Sequence, residues 1–164
     1  MFDSLFQWLL GAGRELAVVI ISMVPLVELR GAVPLGVMAA GMPWYEVLPL
    51  AYLGNLLPIP FALFFGEKVL DWVGTLRPFT GFVTRYKAKL ESKKDQDTKY
   101  ARIGLFLFVA VPLPGTGAWS GALIATLLEM PKGKALLSIA GGVVAAGLIM
   151  LVASNGVLGV ASLF

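Results

Sequence analysis

Glu28 and Arg30 stand two residues apart inside an otherwise apolar stretch, Val18 to Ala40, and are the only adjacent opposite charges so placed. Inserting both unpaired into a membrane costs on the order of 5–7 kcal/mol, so each needs a partner. A spacing of two does not put them on one helix face. It suits an irregular tip, where each charge addresses the other or a different group. The pair is then either a buried ion pair that fixes the chain or a working site. In the second case Glu28 loads a proton and Arg30 recognises an anionic or phosphate head group. The working site is the default for ionisable groups at membrane depth. Gly31 and Pro34 belong to the same element.

A second apolar stretch, Ile103 to Leu128, is broken in its middle by Pro112-Leu113-Pro114-Gly115-Thr116-Gly117. This break has no charge. It offers backbone amides, helix ends and the Thr116 hydroxyl, which can cradle an anion or coordinate a cation; the alternative is a tight turn without a ligand. Trp119 beside it is a gate or a core residue. Asn55 places an amide near mid-depth of the next apolar segment. Glu46 and Glu129 sit at segment ends, where interfacial solvation accounts for them. The candidate substrate- or ion-binding residues are therefore Glu28, Arg30, Gly31, Pro34, Asn55, Pro112, Pro114, Gly115, Thr116 and Gly117.

The chain has no cysteine and no histidine. Disulfides, thiolate chemistry, His-ligated metals and the usual proton shuttle are excluded together. Any proton coupling must run through carboxylates. No nucleophile–base pair and no nucleotide phosphate loop is present. We expect no enzyme, no cofactor, no metal and no ATP-driven pumping by this chain alone.

Composition says what must hold these residues. Hydrophobic residues make up 58%, charged residues 14%, and the mean hydropathy is +0.84. Soluble domains carry about 25% charged residues, so residues 1–164 read as one membrane-embedded unit. Met1-Phe2-Asp3-Ser4 has no basic region ahead of an apolar core, so no cleaved signal peptide is expected. The net charge of +3 is explained by topology and implies no nucleic-acid partner.

Phe2, Leu5, Phe6, Leu9, Leu10, Leu16 and Ala17 share one helical face, which predicts an amphipathic helix along the interface. A full crossing from Leu5 to Leu26 is the alternative and would bury Arg14 and Glu15. Pro43 to Gly66 can cross, with Trp44 and Tyr45 as interfacial aromatics. Gly66 to Arg102 is polar, with apolar residues at three- and four-residue steps, and reads as surface helices broken at Pro78. Lys134 to Ala153 is the cleanest crossing.

An internal repeat aligns Pro25-Leu26 with Pro112-Leu113 at an offset of 87, and Met42-Pro43 with Met130-Pro131 and Gly54 with Gly142 at 88. Each half runs broken stretch, Met-Pro, clean crossing. If the broken stretches cross fully there are four spans. If they are re-entrant hairpins, each half crosses once and the halves are inverted. The hairpins then place eleven of the thirteen basic residues on one side: Lys68, Arg77, Arg85, Lys87, Lys89, Lys93, Lys94, Lys99, Arg102, Lys132 and Lys134. That side is cytoplasmic by the positive-inside rule. A limb of about ten residues spans roughly half of the bilayer core, so opposed tips would meet near the midplane.

Glu28-Leu29-Arg30-Gly31-Ala32-Val33-Pro34-Leu35-Gly36 and Pro112-Leu113-Pro114-Gly115-Thr116-Gly117-Ala118-Trp119 resemble the two signature segments of the small multidrug export protein family. More remotely the chain resembles the DedA superfamily, although Thr116 stands where a Glu is often found and the two elements occur in reverse order. The resemblance implies a multi-pass protein of a prokaryotic cell membrane. It further implies lipid-carrier translocation or proton-dependent transport.

The expected fold is an all-α integral membrane protein with inverted repeats, each a re-entrant helical hairpin plus a transmembrane helix, and amphipathic interfacial helices. Repeat one with its N-terminal helix spans 1–66, a basic cytoplasmic linker 67–102, and repeat two 103–164. The expected function is transport of a small or lipid-linked anionic substrate. A scramblase, an ion channel and a purely structural membrane protein are the alternatives. Membrane lipids, a lipid-phosphate or small-molecule substrate and a second copy of the chain are the expected partners.

Overall fold

The computed structural model describes residues 13–25, 27–75, 98–113 and 115–161, and the elements among them are all helical. In chain order these are α1 (Arg14–Met23), α2 (Glu28–Pro34) with a π-helical turn (Leu35–Ala39), α3 (Trp44–Leu56) and α4 (Ile59–Thr75). They are followed by α5 (Thr98–Ala110), α6 (Ala118–Leu127) and α7 (Lys132–Ala161).

Proline and glycine set the boundaries. Val24, ahead of Pro25, is extended at φ −70° and ψ 122° and ends α1, as the residue before a proline is driven out of the helical region. Pro112 likewise closes α5, and Gly117, at φ 141°, precedes α6. Beyond Pro34 the chain slips to a wider turn, with the Ala40 amide bonded to the Leu35 carbonyl at 2.9 Å. A proline lacks the amide that would continue the regular ladder.

Both broken stretches double back. Arg14 Nη1 donates to the Ala40 carbonyl at 3.2 Å, whereas a straight helix would hold those residues about 39 Å apart. A Cβ built on Gly36 would lie 3.2 Å from Val18 Cγ2. In the second stretch a Cβ on Gly121 would lie 2.7 Å from Val109 Cγ2 and 3.5 Å from Leu105 Cδ1.

Among the described residues, two helical segments are long and apolar enough to cross a membrane: Trp44–Gly66, of mean hydropathy 1.7, and Lys132–Gly156, of mean hydropathy 2.4. They pack antiparallel. Tyr52 donates to the Val144 carbonyl at 3.0 Å, and Lys132 Nζ lies 5.1 Å from the Phe64 ring centre. Moving from one contact to the other takes twelve residues down the first segment and twelve up the second. Their outer faces are apolar and exposed, Phe61 by 62%, Leu137 by 75% and Val152 by 73%. Large exposed side chains in that density suit lipid rather than water.

The core lies between the hairpins and these two segments, around Leu29, Val33, Val47, Ile59, Val109, Ile139 and Val143. Close approach depends on two aligned glycines. A Cβ on Gly54 would strike the Val19 carbonyl and lie 2.9 Å from Ser22 Cβ. One on Gly142 would lie 2.8 Å from the Phe106 carbonyl and 2.7 Å from Val109 Cβ. The residues met, Val19 and Phe106, Ser22 and Val109, are again 87 apart in sequence.

Several boundaries differ from the expectation. Helix α1 begins at Arg14, so Arg14–Ala17 are continuous with the limb that leads into the first break; residues 1–12 lie outside the described residues. Helix α4 continues from the first apolar segment to Thr75 without a break at Gly66, and α5 starts at Thr98. The predicted break at Pro78 lies outside the described residues, as does Leu26. The last helix starts at Lys132, two residues before the predicted crossing.

Gly142→Ala should lower stability by about 1–3 kcal/mol through overpacking. Gly104→Ala, where an added Cβ meets nothing within 4 Å, should raise it by about 0.5–1 kcal/mol through helix propensity. Thermal unfolding in detergent measures both, and equal shifts would contradict the packing described.

Candidate functional site

The two breaks interlock. Helix α5 ends in carbonyls with spare accepting capacity, those of Val111 and Leu113 taking only the Leu113 and Thr116 amides from the backbone, at 2.9 and 3.2 Å, and α6 begins with amides that have no carbonyl of their own helix to donate to. The first hairpin supplies both missing partners. Glu28 Oε2 accepts from the Ala118 amide at 3.3 Å, and Oε1 accepts from the Trp119 amide at 3.2 Å. Arg30 donates through Nη2 to the carbonyls of Val109 and Val111, each at 3.2 Å. Through Nη1 it donates to the carbonyls of Leu113, at 3.3 Å, and Thr116.

The signs match the helix dipoles. A carboxylate sits at the positive N-terminus of α6 and a guanidinium at the negative C-terminus of α5. The planar fork of arginine lets one residue reach four carbonyls on a curved stretch of chain. Each charge therefore addresses the opposite break rather than only its neighbour. This is the different-partner arrangement that the spacing of two allowed.

Backbone geometry makes room for the contact. Glu28 opens α2 at φ 52°, a left-handed conformation that costs a residue with a side chain about 1–2 kcal/mol. It turns the carboxylate out of its own helix and toward α6. Gly117 faces it, and a Cβ there would lie 2.6 Å from Glu28 Oε1 and 2.7 Å from Cδ. Gly115, at φ 81°, is needed for its conformation, since an added Cβ meets nothing within 4 Å. Thr116 ties the turn: its hydroxyl lies 2.8 Å from the Val111 carbonyl and 2.9 Å from that of Leu113, and it accepts from the Leu113 amide at 3.3 Å.

The remaining sequence candidates have simpler places. Gly31 gives Val27 its space, because a Cβ would strike Val27 Cγ1. Pro34 ends α2 and leads into the π-helical turn. Pro112 stops α5, and Pro114 lies outside the described residues. Asn55 is fully buried in α3, and neither its amide nitrogen nor its oxygen has a partner among the described residues. A buried unpaired amide of this kind marks a place for water or a ligand group.

A cavity of about 700 Å³ opens beside the interlocked tips. Glu28, Gly115, Thr116 and Trp119 form its end wall, and Met23, Phe61 and Phe65 are among its apolar sides. The volume is that of a small-molecule site. Phe61, Phe65 and Met23 were not sequence candidates. Trp119, a gate or a core residue by sequence, donates from its indole to the Met23 carbonyl at 3.1 Å and so ties the end of α1 to α6.

Gly117→Ala should destabilise more than Gly115→Ala. Gly115→Ala meets only the backbone cost of about 1–2 kcal/mol, whereas Gly117→Ala also displaces Glu28 from two amides. Thermal unfolding followed by tryptophan emission checks the order, and the reverse order would contradict the lock.

A family model described as "Putative small multi-drug export protein" matches residues 28–149, from Glu28 through both tips into α7. Searches of curated proteins and of solved structures each gave no match. The matched region covers most of the chain and contains both halves of the interlocked site, and the chain belongs to the small multi-drug export protein family.

Proposed function

We propose that the chain is a membrane transporter, with the cavity beside Glu28 as its substrate chamber and the parting of the two tips as its gate. The observation that carries this reading is the reciprocal contact itself. Two charged residues close a break in an apolar stretch with bonds that can be exchanged, beside a cavity of ligand size.

In the closed form Glu28 occupies the α6 amides and Arg30 the α5 carbonyls. When the tips part, the Ala118 and Trp119 amides and the guanidinium become available together, a set that suits an anionic or lipid-linked phosphate group. Glu28 then acts as an internal occupant that the substrate replaces. A proton on Glu28 removes the charge that strengthens its two bonds, which couples opening to proton uptake. This reading shares the opposed-tip arrangement of the DedA-like motifs that the sequence resembles.

Two inverted repeats with re-entrant hairpins fit the geometry best. The antiparallel crossing segments and the hairpin-like return of both broken stretches support this topology, as does the matched use of Gly54 and Gly142. The basic linker is then cytoplasmic.

Single cysteines in a chain that has none test both topology and gating with one charged, membrane-impermeant thiol reagent. In liposomes, Glu46→Cys and Lys134→Cys should react from opposite faces. Leu113→Cys at the tip should react from each face, at a rate that rises roughly tenfold with Glu28→Gln, the size expected from weakening charged bonds. Reaction of the first two from the same face would overturn the hairpins. A tip that stays unreactive, or reacts from one face alone, would overturn alternating access.

A further inference from the structure

The cavity beside the tips is a groove between two helix faces. Pro58, Phe61 and Phe65 line one wall, at the start of α4 and along it, and Thr116, Ser120 and Leu123 line the other. Steps of three and four residues keep each row on one face. The rows end together, because α4 touches α6 just beyond them: a Cβ on Gly66 would lie 2.6 Å from Thr126 Oγ1. At the inner end Glu28, only 4% exposed, is held against the Ala118 and Trp119 amides.

One long side of the groove is open. Phe61, Phe65 and Leu123 line the cavity and are still exposed by 62%, 54% and 47%. The polar lining, Glu28, Thr116 and Ser120, is gathered toward the tips, and the rim is apolar. Such a mouth does not suit loading from water. A dissolved anion would give up its hydration against phenyl and leucyl side chains, which return no hydrogen bond. Phe61 and Phe65 belong to Trp44–Gly66, one of the two segments able to cross a membrane. Where that segment crosses, the same rim faces acyl chains.

We propose that the chamber is loaded sideways from the bilayer, through the gap between α4 and α6, and that its substrate is a membrane-dissolved amphiphile. The polar group of that molecule lies against Thr116 and Ser120, within reach of the amides that Glu28 releases. Its apolar part lies along Phe61, Phe65 and Leu123. The proposal rests on the chamber of the transport reading and narrows its substrate from any anion to a lipid-like one.

Trp119 lines the chamber and reports what fills it. With Trp8→Phe, Trp44→Phe and Trp72→Phe it becomes the single tryptophan of the chain. In liposomes of phosphatidylcholine brominated on its acyl chains, Trp119 should lose more than half of the emission it has in unbrominated liposomes, and aqueous acrylamide should change it little. Ser120→Leu or, on the facing wall, Ala62→Leu should fill the chamber and restore most of the emission. Val152→Leu, on the exposed face of α7, should not. Quenching by acrylamide alone would overturn the portal and assign a chamber filled from water, with the transport reading intact. Quenching by neither would also overturn it, the mouth then being covered by a second copy or by another part of the chain. Equal lipid quenching in the filled variants would overturn it as ordinary contact with surrounding lipid. Lipid quenching that the filled variants abolish, in a chain whose tip cysteine stays unreactive, would keep the portal and overturn transport alone.

Discussion

Two helix ends meet inside this chain, and each leaves backbone groups that its own helix does not satisfy. The last carbonyls of α5 and the first amides of α6 flank the broken segment around Leu113 and Thr116. A backbone group left without a partner where water cannot reach it costs several kcal/mol. Glu28 and Arg30 have the complementary problem, being charges that need partners away from water. Bringing the two sets together solves both at once. The first hairpin is charged where the second is all backbone, and the asymmetry of the tips is what lets them fit.

Much of the local structure serves that contact. Glu28 adopts a left-handed backbone so that its carboxylate leaves its own helix, and Gly117 gives up a side chain to receive it. Thr116 folds the turn so that its carbonyl, with that of Leu113, points at Arg30. Trp119 fixes the far side by bonding Met23. Gly54 and Gly142 set how closely each hairpin lies against its crossing helix, and so hold the tips at one level.

The parts governed by local chemistry were legible in the sequence. Prolines and glycines marked both breaks, and hydropathy marked the two segments long and apolar enough to cross a membrane. Glu28, Arg30, Gly117 and Thr116 could be singled out because charge, proline and glycine are conspicuous in apolar chain. Their pairing was not legible. Arg30 bonds carbonyls 79 to 86 residues away, and a carbonyl leaves no trace in residue type. The conformation of Glu28 is set by its distant partner, and the roles of Met23, Phe61 and Phe65 depend on how hairpins pack. The start of the last helix was misplaced by two residues, lying at Lys132 rather than Lys134, because nothing in residue type distinguishes the first helical turn from the residues before it.

Hydrogen exchange at the Ala118 and Trp119 amides tests the central contact most directly. The first amides of a helix ordinarily exchange fast because nothing inside the helix accepts from them. Here they should be protected in the native chain and exchange at least about tenfold faster in Glu28→Ala, the effect of losing a charged acceptor, while the Ile139 amide in the core stays unchanged. Fast exchange in the native chain, or protection that survives Glu28→Ala, would contradict the account.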